Sequence, residues 1–157
     1  SESSKYHEII TFELEGVMFR AEIDCLNLNK ETEIDVKTVG YCLFDKQWNG
    51  ERKVNFIEAH NYTRQRALYQ LGIKEKYDVL VTPRIYAGSK KTRSCRMFKF
   101  DDQVRLDDEI ENIKPVIGRF QEVLGGAEPH KCEVCPHCVE DEVIDFEILT
   151  SSFCANY

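Results

Sequence analysis

Apolar and polar residues alternate along the first quarter of the chain in the manner of β-strands. Two runs of this kind, residues 6–14 and 17–26, are separated by Glu15-Gly16, a pair typical of a tight turn. A second polar turn at 27–30 precedes a third alternating run at 33–39. The pattern therefore predicts three consecutive antiparallel strands.

The spacing of apolar residues changes to a helical period after residue 53. Apolar side chains between residues 54 and 71 form the stripe of a helix, and Gly72 is expected to end it with a left-handed cap. Further along, apolar residues from 106 to 124 repeat at the same spacing. Pro115 is expected to kink this second helix or to mark its first turn after a break.

Two more strands are predicted between these helices, at residues 77–86 and 93–100. Residues 87–89 (Ala-Gly-Ser) are expected to connect them flexibly, and Pro83 is expected at a sheet edge or a bulge. Strands and helices thus share one chain, which indicates the α/β class.

The composition is that of an ordinary globular domain. A length of 157 residues suits a single core, and 42% hydrophobic residues disfavour disorder. No apolar run approaches the ~20 residues that cross a bilayer, and no secretory signal is recognisable. Three of the seven cysteines lie within seven residues, which favours thiolate ligands in a reducing compartment over disulfides. The chain is therefore predicted to be cytoplasmic, with no membrane partner.

The net charge of −7 conceals a strongly basic middle. Residues 41–100 carry 13 basic and 5 acidic side chains, whereas both flanking parts are acidic. Between residues 79 and 100 there is no acid, and six cations occur: Arg84, Lys90, Lys91, Arg93, Arg96 and Lys99. This segment is a candidate for contacts with a nucleic-acid backbone. The alternative, which charge alone slightly favours, is a solvated face that balances the acidic C-terminal third.

Asp35 and Lys37 are two residues apart in the third predicted strand, so they project from one face, with Ile34 and Val36 on the other. We expect the apolar pair to face the core and the charged pair to carry the chemistry. Asp24 ends the preceding strand, and hairpin pairing would bring its carboxylate beside that of Asp35.

Two neighbouring carboxylates repel each other, and a hard divalent cation such as Mg²⁺ or Mn²⁺ relieves that repulsion. A lysine beside such a cation can orient a water or stabilise charge that develops on a phosphate. The arrangement therefore predicts metal-assisted hydrolysis of a phosphodiester. Taken alone, the spacing is a weak signal, and an exposed salt bridge on an amphipathic strand is the competing interpretation.

Gln65 and Tyr69 lie four residues apart on the predicted helix and so share a face, with Arg66 adjacent. Such a face can bind a phosphate or a metal-bound water. For the pair in isolation, an ordinary half-buried helix surface is the better interpretation.

Four segments in this order resemble the PD-(D/E)XK nuclease superfamily, and within it the RecE-like phage and prophage exonucleases of the RecB-type group. The segments are GVMFRAEIDCLN, EIDVKTV, YTRQRALYQLG and KCEVCPHC. The resemblance implies a restriction-endonuclease-like core, in which helices flank a mixed central sheet and a cysteine loop follows.

The resemblance also assigns roles to individual residues. Asp24 and Asp35 would bind the metal together with the backbone carbonyl of Val36, Lys37 would be the catalytic lysine, and Gln65 with Tyr69 would form the Q-x3-Y motif. It implies a DNA exonuclease of the phage recombination and repair type, with a single-strand annealing protein and further copies of the chain as partners.

One feature of the family pattern is missing from this chain, namely an acidic or histidine residue on a helix upstream of the hairpin. Glu22, two residues before Asp24, is the nearest substitute, although a surface role suits it better. We therefore expect residues 1–157 to form one nuclease domain that lacks an upstream helical portion.

Cys132, Cys135 and Cys138 form a C-x2-C-x2-C cluster whose thiolates favour a soft or borderline cation. Three cysteines leave one ligand missing. RecB-type relatives use one earlier cysteine for a 4Fe-4S cluster, so the resemblance implies such a cluster. Zn²⁺ completed by Cys154, His130 or His137 is the alternative, and unligated thiols are a third. Cys25, Cys42 and Cys95 are predicted to be small packing residues.

The sequence leaves three functions open. The first is a magnesium-dependent deoxyribonuclease. The second is a non-catalytic module that binds nucleic acid or a partner and carries a structural metal. The third is a small domain that the cysteine loop only stabilises.

Overall fold

A computed structural model describes residues 4–49 and 51–130 of the chain. The cysteine cluster at Cys132, Cys135 and Cys138 lies outside these residues, so its predicted metal stays a prediction. The backbone divides into two compact units, Ser1–Phe120 and Gln121–Tyr157. Of the second unit, the described part comprises the end of the last helix and residues 125–130.

The described residues form seven strands and three helices. In chain order they are β1 (Ser4–Leu14), β2 (Val17–Asn27), β3 (Thr32–Val39), β4 (Gln47–Trp48), β5 (Lys53–Val54), α1 (Phe56–Ala59), α2 (Tyr62–Tyr77), β6 (Thr82–Ser89), β7 (Ser94–Lys99) and α3 (Gln103–Leu124).

Five strands build one mixed sheet in the order β1-β2-β3-β6-β7, and β4 pairs with β5 separately. The strands β1, β2 and β3 are antiparallel neighbours, as predicted. β6 runs parallel to β3, which requires the long crossover that contains α2. The predicted α/β architecture, a mixed central sheet flanked by helices, is confirmed.

The core lies between this sheet and α2. One cluster joins the β1–β2 hairpin to the helix, with Ile10, Phe12 and Ile23 against Ile73. A second cluster joins Phe56 of α1 to Ile85 of β6. Together the two clusters hold α1 and α2 against one face of the sheet.

The single helix predicted over 54–71 is wrong in its continuity and in its end. It is two helices, broken at Asn61, whose φ of 53° is left-handed, and the second continues through Gly72 to Tyr77. Gly72 lies inside α2. A Cβ at this position would come within 2.4 Å of the Phe12 ring, so a glycine is needed here. The glycine therefore permits close packing of the helix on β1 and does not cap the helix.

Gly72→Ala should lower the free energy of unfolding by about 1–3 kcal/mol, because the added methyl group overpacks the contact with Phe12. This loss should exceed the ~1 kcal/mol gained from the helix propensity of alanine. Gly118→Ala in α3 is the matched control, since nothing lies within 4 Å of its Cβ position, and it should stabilise slightly. Urea unfolding of the two variants measures both effects. Equal behaviour would contradict the packing role of Gly72.

The last two predicted strands also shift. Tyr77 ends α2, and β6 begins only at Thr82 and continues through residues 87–89, so the connection is the turn that follows Ser89. At the end of the strand, the Ser89 hydroxyl donates to the Tyr41 carbonyl over 2.6 Å.

Pro83 lies in β6, an inner strand, and not at an edge or bulge. The Phe100 N–H donates to the Pro83 carbonyl over 3.0 Å, one residue beyond the end of β7 at Lys99, so the N–H that proline lacks is missing only at the terminal pair of this ladder.

The final helix, α3, continues through Pro115. None of the helices in the described residues is long and apolar enough to cross a membrane.

Candidate active site

The charged face of β3 is buried, contrary to the expected division of that strand. Glu33 and Asp35 are 0% and 3% exposed, whereas Val36 on the other face is 53% exposed. Helix α2 covers the face that carries the acids, and a residue of that helix forms ion pairs with both of them. The prediction that Ile34 and Val36 face the core was therefore wrong.

That residue is Arg66, which is fully buried in α2. Its Nη2 donates to Asp35 Oδ1 over 2.9 Å, and its Nη1 donates to Glu33 Oε1. The guanidinium also lies 4.3 Å from the centre of the Tyr69 ring. Arg66 thus joins the helix to both acids of β3 and fixes the orientation of Asp35.

Sequence reasoning gave Glu33 no role and treated Arg66 only as a neighbour of Gln65. The signal for Glu33 was its position two residues before Asp35, which places both on one strand face. Burial raises the pKa of Glu33 to about 7, although the charge of Arg66 opposes the shift and that of Asp35 adds to it.

Asp24 is held beside β3 at the end of the β2–β3 ladder. The last ladder pair is Cys25 with Ile34, so Asp24 is the next residue toward Asp35. The Val36 backbone N–H donates to Asp24 Oδ2 over 2.8 Å. The carboxylate takes the place of a strand acceptor, and the two acids from neighbouring strands lie at one level of the sheet.

Lys37 completes the group at its exposed side. Its Nζ lies 2.8 Å from Asp35 Oδ2 and 5.2 Å from the centre of the Tyr62 ring, and its side chain is 23% exposed. The ion pair lacks hydrogen-bond geometry, so Asp35 Oδ2 has no hydrogen-bond partner among the described residues. This buried oxygen therefore faces the Lys37 ammonium group and accepts no hydrogen bond within the described residues.

The oxygen atoms at this position suit a hard divalent cation. The Asp24 and Asp35 carboxylates and the Val36 carbonyl are the ligand types that Mg²⁺ and Mn²⁺ prefer. Glu33 Oε2 is a further buried oxygen without a hydrogen-bond partner among the described residues. Within 4–49 and 51–130 there is no group of three His, Cys, Asp or Glu side chains arranged around a metal. A divalent cation here would therefore be bound by two carboxylates, a backbone carbonyl oxygen and water molecules.

Gln65 and Tyr69 are joined as their spacing predicted, since Gln65 Nε2 donates to the Tyr69 hydroxyl over 3.3 Å. Burial raises the pKa of Tyr69, with a smaller effect from Asp35 in the same direction. Tyr69 therefore lies near the acids and against Arg66, and Gln65 is bonded to its hydroxyl group.

The basic residues predicted to contact nucleic acid do not share one surface. Arg84 pairs with Ile34, on the sheet face opposite Asp35, whereas Arg96 pairs with Ala87 and so belongs to the other face. The remaining three, Lys90, Lys91 and Arg93, lie in the turn between β6 and β7.

The cysteines in the described residues are partly as expected. Cys25 and Cys42 are half-buried. Cys95 is exposed, so its predicted packing role was wrong, because it lies on the edge strand β7.

Comparisons with known proteins agree with this architecture. A solved structure from Eubacterium rectale, described as a "Putative exonuclease", superposes with a TM-score of 0.78 at 22% sequence identity. The superposition covers 98% of this chain and 57% of that one, so the chain spans little more than half the length of that protein. No curated protein matches the chain.

Residues 4–141 match the family described as "PDDEXK-like domain of unknown function (DUF3799)". The match covers most of the chain, and it confirms the resemblance to the PD-(D/E)XK superfamily that the motifs indicated. The chain therefore belongs to this family of PDDEXK-like domains.

Proposed function

We propose that the chain is a nuclease domain that hydrolyses phosphodiester bonds in DNA with the help of a divalent cation. The observation that carries the proposal is the meeting of Asp24, Asp35 and Lys37 at one level of two neighbouring strands. Two acids and an ammonium group in this arrangement are the elements that phosphodiester hydrolysis needs.

Each residue of the group has a part that its contacts support. Asp24 and Asp35 supply oxygen ligands, and Arg66 holds Asp35 so that Oδ2 stays directed toward Lys37. Lys37 is partly exposed, which lets its ammonium group approach a phosphate oxygen and stabilise negative charge in the transition state. Tyr62 limits the positions of that ammonium group through its ring.

A bound Mg²⁺ or Mn²⁺ would polarise the phosphate and lower the pKa of water at the site. Its ligands would be the Asp24 and Asp35 carboxylates and the Val36 carbonyl. Tyr69, with Gln65 bonded to it, would restrict the space left for the substrate.

The finer assignment is an exonuclease of the phage recombination type. It is supported by the order of the motifs and by the description of the Eubacterium rectale protein. The same resemblance supports DNA as substrate, a single-strand annealing protein as partner, and assembly of several copies. The cysteines Cys132, Cys135 and Cys138 would hold a 4Fe-4S cluster or Zn²⁺.

Incubation with linear and covalently closed circular duplex DNA tests the proposal. In Mg²⁺ or Mn²⁺, we expect the protein to degrade the linear DNA from its ends and to leave the circle intact, and EDTA should stop the reaction. Cleavage of the circle would indicate an endonuclease. DNA binding without cleavage in either metal would instead support the non-catalytic binding module and contradict the nuclease.

A further inference from the structure

A polar cavity lies near the C-terminal end of β2 and the N-terminal ends of β3 and β6, on the sheet face opposite Asp35. Its volume is about 310 Å³. The polar side chains that line it are Ser4, Asn27, Lys30, Thr32 and Arg84. Two of these are cations, and none of the described residues that line the cavity carries a carboxylate. The described side chains that line the cavity therefore carry a net positive charge.

Arg84 is the unusual member of this set. It is only partly exposed, and its Nε is buried without a hydrogen-bond partner among the described residues. Its guanidinium has neither an ion pair nor a hydrogen bond within those residues. A partly buried cation without a counter-charge is costly, so an anion in the cavity would remove an existing penalty.

The turn that carries Lys30 is already ordered around the cavity. The Lys30 backbone N–H donates to Asn27 Oδ1 over 2.9 Å, and the Thr32 hydroxyl donates to the Lys30 carbonyl over 2.8 Å. Asn27 Nδ2 donates to Ser4 Oγ over 3.0 Å, which leaves the Ser4 hydroxyl proton available to an anion. Little order would have to be gained on binding.

We propose that this cavity, which we call the Lys30–Arg84 pocket, binds a phosphate group. Arg84 offers the forked donors that match phosphate oxygens, Lys30 adds a point charge, and Ser4 adds a hydroxyl. The phosphate comes either from a nucleic-acid backbone or from a free phosphate ion. The backbone source rests on the proposed function, because it requires that the chain binds DNA.

Titration with inorganic phosphate tests the pocket without any DNA. We expect phosphate to raise the melting temperature of the wild-type protein more than chloride does at equal ionic strength. Arg84→Gln and Lys30→Gln should each weaken the apparent affinity for phosphate by about tenfold or more. Lys30 is exposed in a turn, so its variant should fold even if Arg84→Gln does not.

Binding of a single-stranded oligonucleotide in EDTA distinguishes the two sources. If a backbone phosphate occupies the pocket, Arg84→Gln should reduce the slope of log affinity against log salt by roughly 0.7. Lys114→Gln, which removes a lysine already paired with Glu111, is the control and should leave the slope unchanged. Phosphate binding with an unchanged slope would assign the pocket to free phosphate.

The proposal is overturned if neither phosphate affinity nor the salt slope changes in Arg84→Gln and Lys30→Gln. Cleavage of linear DNA by the same wild-type protein is scored separately. If the protein cleaves DNA but shows no phosphate effect, the phosphate-binding proposal is rejected and the nuclease proposal stands. If phosphate binds but DNA is not cleaved, the nuclease proposal is rejected and the phosphate-binding proposal stands.

Discussion

Arg66→Met should lower the free energy of unfolding by about 3–5 kcal/mol, because it leaves Glu33 buried without its counter-charge and Asp35 with Lys37 alone. Both acids are almost fully buried, and Arg66 is the residue that donates hydrogen bonds to both. Such a loss is a large part of the ~5–15 kcal/mol that stabilises an ordinary domain. Chemical denaturation of the wild type and the variant measures the difference.

Two further variants show whether buried charge is the cause. Glu33→Met combined with Arg66→Met removes one acid and one base together, so it should recover most of the lost stability. Arg64→Met, on the same helix, breaks a partly exposed pair with Glu109 and should cost no more than about 1 kcal/mol. An Arg66→Met variant as stable as Arg64→Met would contradict the role assigned to the buried arginine.

Asp35→Asn should reduce DNA cleavage by about 10³-fold or more, and Lys37→Met by about 10²–10³-fold. The asparagine keeps the shape of Asp35 but loses the charge that binds a cation. The methionine keeps the length of Lys37 but loses the ammonium group that lies 2.8 Å from Asp35 Oδ2. Initial rates on linear duplex DNA in saturating Mg²⁺ measure both effects.

A second lysine in a similar ion pair provides the control. Lys76 lies 2.8 Å from Glu8 and is also partly exposed, but it belongs to the far end of α2. Lys76→Met should therefore cleave DNA at the wild-type rate. If Lys37→Met and Lys76→Met were equally active, Lys37 would be an ordinary surface residue and the nuclease mechanism would have to be abandoned.

The main elements of the fold follow from local sequence patterns. Alternation predicted the strands β1, β2 and β3, and helical spacing predicted the positions of α2 and α3. Gly72 and Pro83 were misassigned because their effects depend on distant partners. Gly72 packs on Phe12, which is 60 residues away, and Pro83 is tolerated because β7 ends beside it.

The site was predictable where spacing within one element sufficed. Two-residue spacing placed Asp35 with Lys37 on one face, and four-residue spacing placed Gln65 beside Tyr69. The burial of that face was not predictable, because charged residues are rarely buried unless they are paired. The partner that allows it, Arg66, lies 31 residues beyond Asp35 on another element.

A crystal of the protein grown with Mn²⁺, measured at the manganese absorption edge, shows whether Asp24 and Asp35 share a cation. We predict one anomalous peak between Asp24 and Asp35, with a carboxylate oxygen of each within about 2.0–2.6 Å. Manganese bound elsewhere, or Asp24 and Asp35 side chains turned to opposite faces of the sheet, would contradict a shared cation site and the nuclease mechanism proposed for it.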